Sequence, residues 1–246
     1  MPVDMLSDTQ LHAGPGPAPS RSRFPVGYEW HFAELAKYWP IFVRGGLVTL
    51  QITIGSACLA LAIGLPAGIA KESRFGSLRL LATAYIELIR GTPALVQIVW
   101  IYYCLPILTG LQLPGQTTMI VALGVHAGAY VAEIFRAGIN AVDRGQFAAA
   151  YALGMSEGQA LRRIILPQAV QKMIPPFINE FANLMKLTTL GSSIAVYELL
   201  HESNNLIAAI YRPLEVYSAL AVVFFLITYP VILASRQLEK RLRAAR

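Results

Sequence analysis

The chain alternates between long apolar segments and short polar stretches. Five segments stand out, at about 46–70, 78–108, 117–139, from 164 to beyond Lys186, and 216–234. Each reaches or approaches the roughly 20 residues that a helix needs to cross the hydrocarbon core, so the pattern predicts an all-α integral membrane protein with five transmembrane helices. Gly110, Pro114-Gly115 and Pro213 mark breaks between segments. Thr92-Pro93 falls inside the second segment and should break or kink it, freeing backbone groups that must then face protein or a water-filled cavity. In the third segment Gly124 and Gly128 are four apart and Gly138 extends the same small face, a pattern that permits close helix contact. Residues 28–44 suggest an interfacial helix with Trp30, Phe32, Leu35 and Trp39 at the membrane surface. Residues 1–27, rich in Pro and Gly, read as a mobile tail, and 237–246 as a basic tail; the transmembrane domain is expected over 45–236.

The polar interval between the third and fourth segments is organised. Residues 148–153 are helix-compatible, Gly154 breaks them, and Ser156 with Gln159 has capping-box spacing for a second short helix. Pro167 stands where the next membrane helix can begin without losing a hydrogen bond. Two readings fit this insert: a helix–turn–helix lying on the membrane surface, or a docking element whose small-residue face admits a cytoplasmic partner.

Composition agrees with the membrane reading. Of 246 residues, 55% are hydrophobic and only 14% charged, against roughly 25% charged in a soluble domain. The net charge of +6 comes from basic residues that flank apolar segments, which is a membrane pattern and not one for nucleic acid. Lys71, Arg74 and Arg79 follow the first segment, Arg144, Arg162 and Arg163 the third, and Arg236, Lys240 and Arg241 the fifth. That bias orients the amino terminus outside and the carboxyl terminus and the 145–166 loop in the cytoplasm.

Charged residues within the spans need partners or a polar cavity, since a lone charge at the bilayer centre costs at least about 2.5–3.5 kcal/mol. Glu87 and Arg90, and again Glu133 and Arg136, are three apart on one helix face and are expected as structural ion pairs; the second pair has snorkelling at the helix end as its alternative. Glu180 and Lys186 lie on the fourth segment, and Lys186, without an acid at helical spacing, points to a polar pathway. There is no phosphate-binding Gly-x-x-x-x-Gly-Lys-Ser/Thr loop, no metal-ligand spacing among the 4 histidines, and the 2 cysteines sit in apolar runs. The chain is therefore not expected to be an enzyme or to hold a cofactor or metal.

Several motifs, taken in order, resemble the permease subunits of ATP-binding-cassette importers, and in particular the polar amino acid (histidine/glutamine/arginine) permeases. They are Gly46-Leu-Val-Thr-Leu50, then Tyr85 through Arg90-Gly-Thr-Pro93 to Gln97, and Gly128-Ala-Tyr130 through Glu133 and Arg136 to Gly138. Gly145-Gln146 through Ala149, Ala150 and Gly154 to Leu166-Pro167, and Asn183 through Lys186 to Leu190, complete the series. The resemblance implies a type I importer permease fold whose 145–166 loop is the coupling helix. It assigns ATPase docking to Gly145, Gln146, Ala149, Ala150, Gly154, Met155, Ser156, Arg162, Leu166 and Pro167. It assigns the substrate pathway to Arg90, Thr92, Tyr130, Asn183, Lys186, Leu187, Thr188 and Thr189. It further implies an ATPase subunit dimer holding ATP and Mg, a second permease subunit (the same chain or a homologue), a periplasmic substrate-binding protein and a polar amino acid as cargo. Ala148 stands where the family usually has Glu, and Leu187 where it commonly has an acid. An ATP-independent carrier or channel, and a non-transporting scaffold, are the alternatives; neither accounts for the loop.

Overall fold

The structure, a computed structural model, describes residues 28–244, without the side chains of 241–244. The expected tail over 1–27 lies outside the described residues. Tyr28 and Trp30 meet edge to face with ring centroids 5.3 Å apart. From Phe32 onward the described chain is built from helices. The interfacial helix expected over 28–44 is shorter than that: α1 (Phe32–Leu35) and a 3-10 turn (Ala36–Tyr38) lead directly into α2 (Trp39–Lys71), with Pro40 in its first turn. Pro40 has no N–H to lose there, so the long helix starts before the uncharged run does.

After α2 the chain forms α3 (Gly76–Arg90), α4 (Ala94–Val99), a π-helical segment (Trp100–Cys104) and α5 (Leu105–Thr109). α6 (Gly115–Asn140) crosses back. The insert is α7 (Arg144–Ala152) and α8 (Glu157–Ala160), joined through a second π segment (Leu161–Ile165) to α9 (Leu166–Leu187). A 3-10 stretch (Thr188–Ile194), α10 (Leu199–Ile210) and α11 (Pro213–Ala244) complete it, so the residues read as a separate tail from 237 continue α11.

Among the described residues three stretches are long and apolar enough to cross a membrane: Phe32–Lys71, Gly115–Asn140 and Pro213–Lys240. The pair Gly76–Arg90 and Ala94–Thr109, bent by 104° at the Gly91–Pro93 break, passes the same test together and makes a fourth crossing if taken as one broken span. The fifth expected span is α9, with 22 residues. It is long enough but too polar to qualify by composition, and packing against α6 and α11 positions it.

α6 is the hub. Small residues let three neighbours press against its backbone. α2 approaches so closely that a Cβ on Gly64 would strike the Gly128 carbonyl, and one on Gly68 would lie 2.9 Å from Ala132 O. A Cβ on Gly128 would lie 2.7 Å from the Tyr85 hydroxyl of α3, and Gly138 accommodates Met173 of α9. Around this contact Ile52, Ile98, Met119, Leu123, Val131 and Leu184 form the main apolar core.

Two prolines inside continuous helix are handled alike. Pro106 and Pro167 each follow a π segment, in which Leu105 N–H bonds Trp100 O and Leu166 N–H bonds Leu161 O. The wider turn accommodates the ring and the missing donor. Pro167 was expected to open a separate helix; instead it sits in helix continuous from Glu157 to Leu187.

Replacing Gly64 by Leu is expected to destabilise the folded protein by at least about 1–3 kcal/mol through overpacking. Gly76, whose Cβ would meet nothing within 4 Å, should accept Ala without loss. Thermal unfolding of the detergent-purified variants, followed by size-exclusion profile, checks the pair.

Candidate functional site

The insert between α6 and α9 is locally well specified. Asp143 caps α7, accepting from Gly145 N at 2.6 Å. Gly154, at φ 76°, ends it in the left-handed conformation that glycine adopts without penalty, while Met155 N bonds Ala150 O at 3.1 Å. Ser156 and Gln159 form the expected capping box, at 3.4 and 3.1 Å. One face packs: Phe147 and Ile164 join Val142, Ile165, Ala169 and Met173 in a second apolar cluster. The other face is open and presents Tyr151 at 49% exposure, Leu153 at 80% and Leu161 at 41%.

Of the sequence-named docking residues, Gly145, Gln146, Ala149, Gly154, Ser156, Arg162 and Pro167 are exposed, and Met155 and Leu166 are half-buried. Ala150, at 2% exposure, points into the fold and offers no docking surface. Sequence reasoning passed over Tyr151, Leu153 and Leu161; their signal was apolar residues in an otherwise polar loop.

The second candidate region lies where α3, α6 and α9 meet. A cavity of ≈ 540 Å³ is lined by Arg90, Tyr130, Glu133, Ile134, Ala137, Gly138, Ala141, Lys172, Pro176 and Glu180. The Arg90 guanidinium stands 5.4 Å above the Tyr130 ring, a cation–π contact. Tyr130 in turn leans on His126, at 5.2 Å between centroids. Lys172 donates to Ala141 O at the C-terminal end of α6, where the helix dipole favours a cation.

The ion pairs differ from the spacing expectation. Glu87 meets Lys71 at 3.6 Å, while Arg90 turns to Tyr130, so Glu87 and Arg90 do not make the expected pair. Glu133 and Arg136 meet at 3.0 Å, and Lys71 joins them at 2.7 Å from Glu133. Lys71, at the end of α2, thus links α3 and α6. Sequence spacing along one helix could not reveal a partner from another.

At the broken span Gln97 covers freed backbone. Its Nε2 reaches Ile89 O at 2.8 Å and Thr92 Oγ1 at 2.7 Å, and Thr92 itself donates to Leu88 O at 3.0 Å. With the Gln97 amide fixed this way, its Oε1 accepts from His126 Nδ1 at 3.1 Å. Thr92 therefore serves the bend and does not line the cavity.

The remaining pathway candidates divide. Lys172, Pro176, Asn179, Asn183 and Lys186 recur at four- and three-residue steps along α9 and make one polar stripe, in which Pro176, Asn179 and Lys186 are exposed. Leu187 packs on the main apolar core and is not part of that stripe. Thr188 is fully buried and donates to Met185 O at 2.8 Å. Thr189 donates to Lys186 O at 2.7 Å. Both hydroxyls close carbonyls where the α-helix tightens into 3-10 geometry. Among the described residues no cluster of three or more His, Cys, Asp or Glu is arranged to hold a metal.

Apolar spans, one of them sharply broken, around a polar cavity and a structured loop define a membrane permease of the type I importer fold. The profile of the binding-protein-dependent transport system inner membrane component family matches residues 60–244, and the chain belongs to that family. It is 36% identical over 205 residues to the glutamine transport system permease protein of Escherichia coli strain K12, covering 83% of this chain and 94% of that one. The L-cystine transport system permease protein of Bacillus subtilis strain 168 is 35% identical over 206 residues, covering 83% and 88%. Among solved structures, an amino acid ABC transporter crystallised with histidines superposes with a TM-score of 0.83 at 36% identity, covering 87% of this chain and all of that one. The inward-facing methionine ABC transporter shares the fold, with a TM-score of 0.69 at 22% identity and coverage of 84% and 96%. The chain is thus a permease subunit and not an enzyme.

The Lys71–Glu133 contact yields a test. Lys71→Met and Glu133→Gln combined should destabilise the protein by less than the sum of their single effects, the difference being a coupling energy of roughly 0.5–3 kcal/mol. Chemical or thermal unfolding of the four proteins of the cycle measures it; additivity would show that the pair contributes nothing.

Proposed function

We propose that this chain is the membrane-spanning half of an ATP-driven importer that takes a polar amino acid from a periplasmic binding protein and carries it across the inner membrane. Two permease subunits, copies of this chain or this chain and a homologue, enclose the path. An ATPase dimer holds ATP and Mg and grips the 145–166 loop of each permease subunit. The amino terminus faces the periplasm and the carboxyl terminus the cytoplasm.

The observation that supports this reading most is mechanical. The insert is no loose loop: α8, the π segment and α9 are one unbroken helix, so a displacement of the loop is transmitted along α9 to the polar stripe from Lys172 to Lys186. Tyr151, Leu153 and Leu161 form the exposed apolar face that a partner's groove would cover. Each ATPase state would then bias one orientation of α9, which is the differential contact that coupling between two sites requires. The names of the relatives, which transport glutamine, arginine and cystine, support amino acids as the cargo class.

Purification of the tagged chain from its native membranes in mild detergent should bring down a P-loop ATPase in near one-to-one ratio; the chain alone, under conditions that preserve other complexes, would count against the reading. Gly154→Asp puts a charge on the open side of the turn, where a Cβ meets nothing within 4 Å. It is expected to release the ATPase or to lower uptake by about tenfold or more, the scale of a 1–3 kcal/mol coupling, while the protein still inserts. Normal uptake by that variant would reject docking at this turn. Lys186→Ala should slow uptake without loss of assembly, and unchanged kinetics would remove Lys186 from the path.

A further inference from the structure

Glu180 is a carboxylate in an apolar register. Met173, Phe177, Glu180 and Leu184 follow one another at four-, three- and four-residue steps, and the other three pack into the apolar clusters shared with α6. The side chain therefore points toward α6, at the edge of the polar stripe. Oε1 of Glu180 is buried and has no hydrogen-bond partner. A buried polar atom without a partner is uncommon in a folded protein and calls for a specific explanation.

Its surroundings supply one. Glu180 lines the cavity that also holds Arg90, Tyr130, Glu133 and Lys172. Glu133 is engaged by Lys71 and Arg136, and Lys172 by Ala141 O. Arg90 contacts the Tyr130 face, which leaves the edge N–H groups of its planar guanidinium free to bind a carboxylate. The cavity thus combines an acid with an unused acceptor and a guanidinium with donors to offer. A zwitterionic head group, with an ammonium and a carboxylate on one carbon, answers both.

We infer that Glu180 is the group that receives the substrate's ammonium in the membrane, with Arg90 facing the substrate carboxylate; this rests on the amino acid importer reading above. The assignment also accounts for a path without an acid at position 187: Leu187 belongs to the apolar core, and the acid sits two turns earlier on α9.

The test uses the whole complex, with this chain, its ATPase and its binding protein, in proteoliposomes. Import of L-glutamine, L-arginine and L-cystine by the wild-type complex is measured first, and the imported amino acid is the probe. Glu180→Gln keeps the shape and removes the charge. It is expected to lower maximal import at saturating binding protein by tenfold or more, while the ATP hydrolysis stimulated by binding protein is unchanged. Glu180→Asp, which keeps the charge, should recover a substantial part of the import. Import by Glu180→Gln at the wild-type rate would overturn the inference and leave the importer reading intact. Loss of complex assembly or of ATP hydrolysis in both variants would assign Glu180 to folding and would equally overturn it. No import of any of the three by the wild-type complex would instead defeat the amino acid reading on which the inference stands.

Discussion

The structure depends on how closely its helices can approach α6. Lipid supplies little hydrophobic drive for helices to associate, so packing and interhelical hydrogen bonds must hold them together. Gly128 leaves room for the Tyr85 hydroxyl, which donates to Val125 O at 2.7 Å and seats α3 on α6. That contact brings the end of α3, and with it Arg90, over Tyr130 one turn further along. Gly138 takes Met173, so α9 leans on the same helix and Lys172 reaches Ala141 O. The two walls of the cavity are therefore positioned by missing side chains on the third.

Proline has opposite consequences in different places, and the backbone explains why. Pro106 and Pro167 are preceded by π turns and leave the helix continuous. Pro93 has ψ 138°, an extended conformation outside the helix, and the span turns by 104°. Backbone groups freed within a membrane must find partners in the protein. Here the Gln97 amide supplies them, and His126 fixes the amide. The same residue type thus makes a rod from the insert into α9 and a corner beside the cavity.

Much of this was legible in the sequence because it is local. The apolar runs, the break at Thr92-Pro93, the glycine face of α6, and the caps at Gly154 and Ser156 all depend on neighbours within a few residues. What spacing could not provide was the partner from another helix. Glu87 and Arg90 have ion-pair spacing, yet Lys71 from α2 reaches Glu87 first and an aromatic face takes Arg90. Leu187 was drawn into the pathway by the family resemblance, as the position that commonly holds an acid, but a step of one residue from Lys186 turns a side chain by about 100° on a helix, and it faces the core. α10 escaped notice because its 12 residues lie between two longer spans. Pro175 and Pro176 interrupt α9 in sequence and hide the stripe that its helical register makes plain.

The stripe on α9 also bears on how much of the transporter one chain provides. Asn179 and Lys186 are exposed on a helix whose opposite side packs against α6 and α11. Lys186, in the last turn, benefits from the helix dipole, but Asn179 lies mid-helix with no such relief, and an amide facing hydrocarbon forfeits its hydrogen bonds. The described helices leave this side uncovered, so the surface that completes it lies beyond them. A second polar stripe across a water-filled gap satisfies that demand in any orientation of α9. Lipid satisfies it in none. A covered polar side is thus a requirement that the described helices leave unmet by themselves.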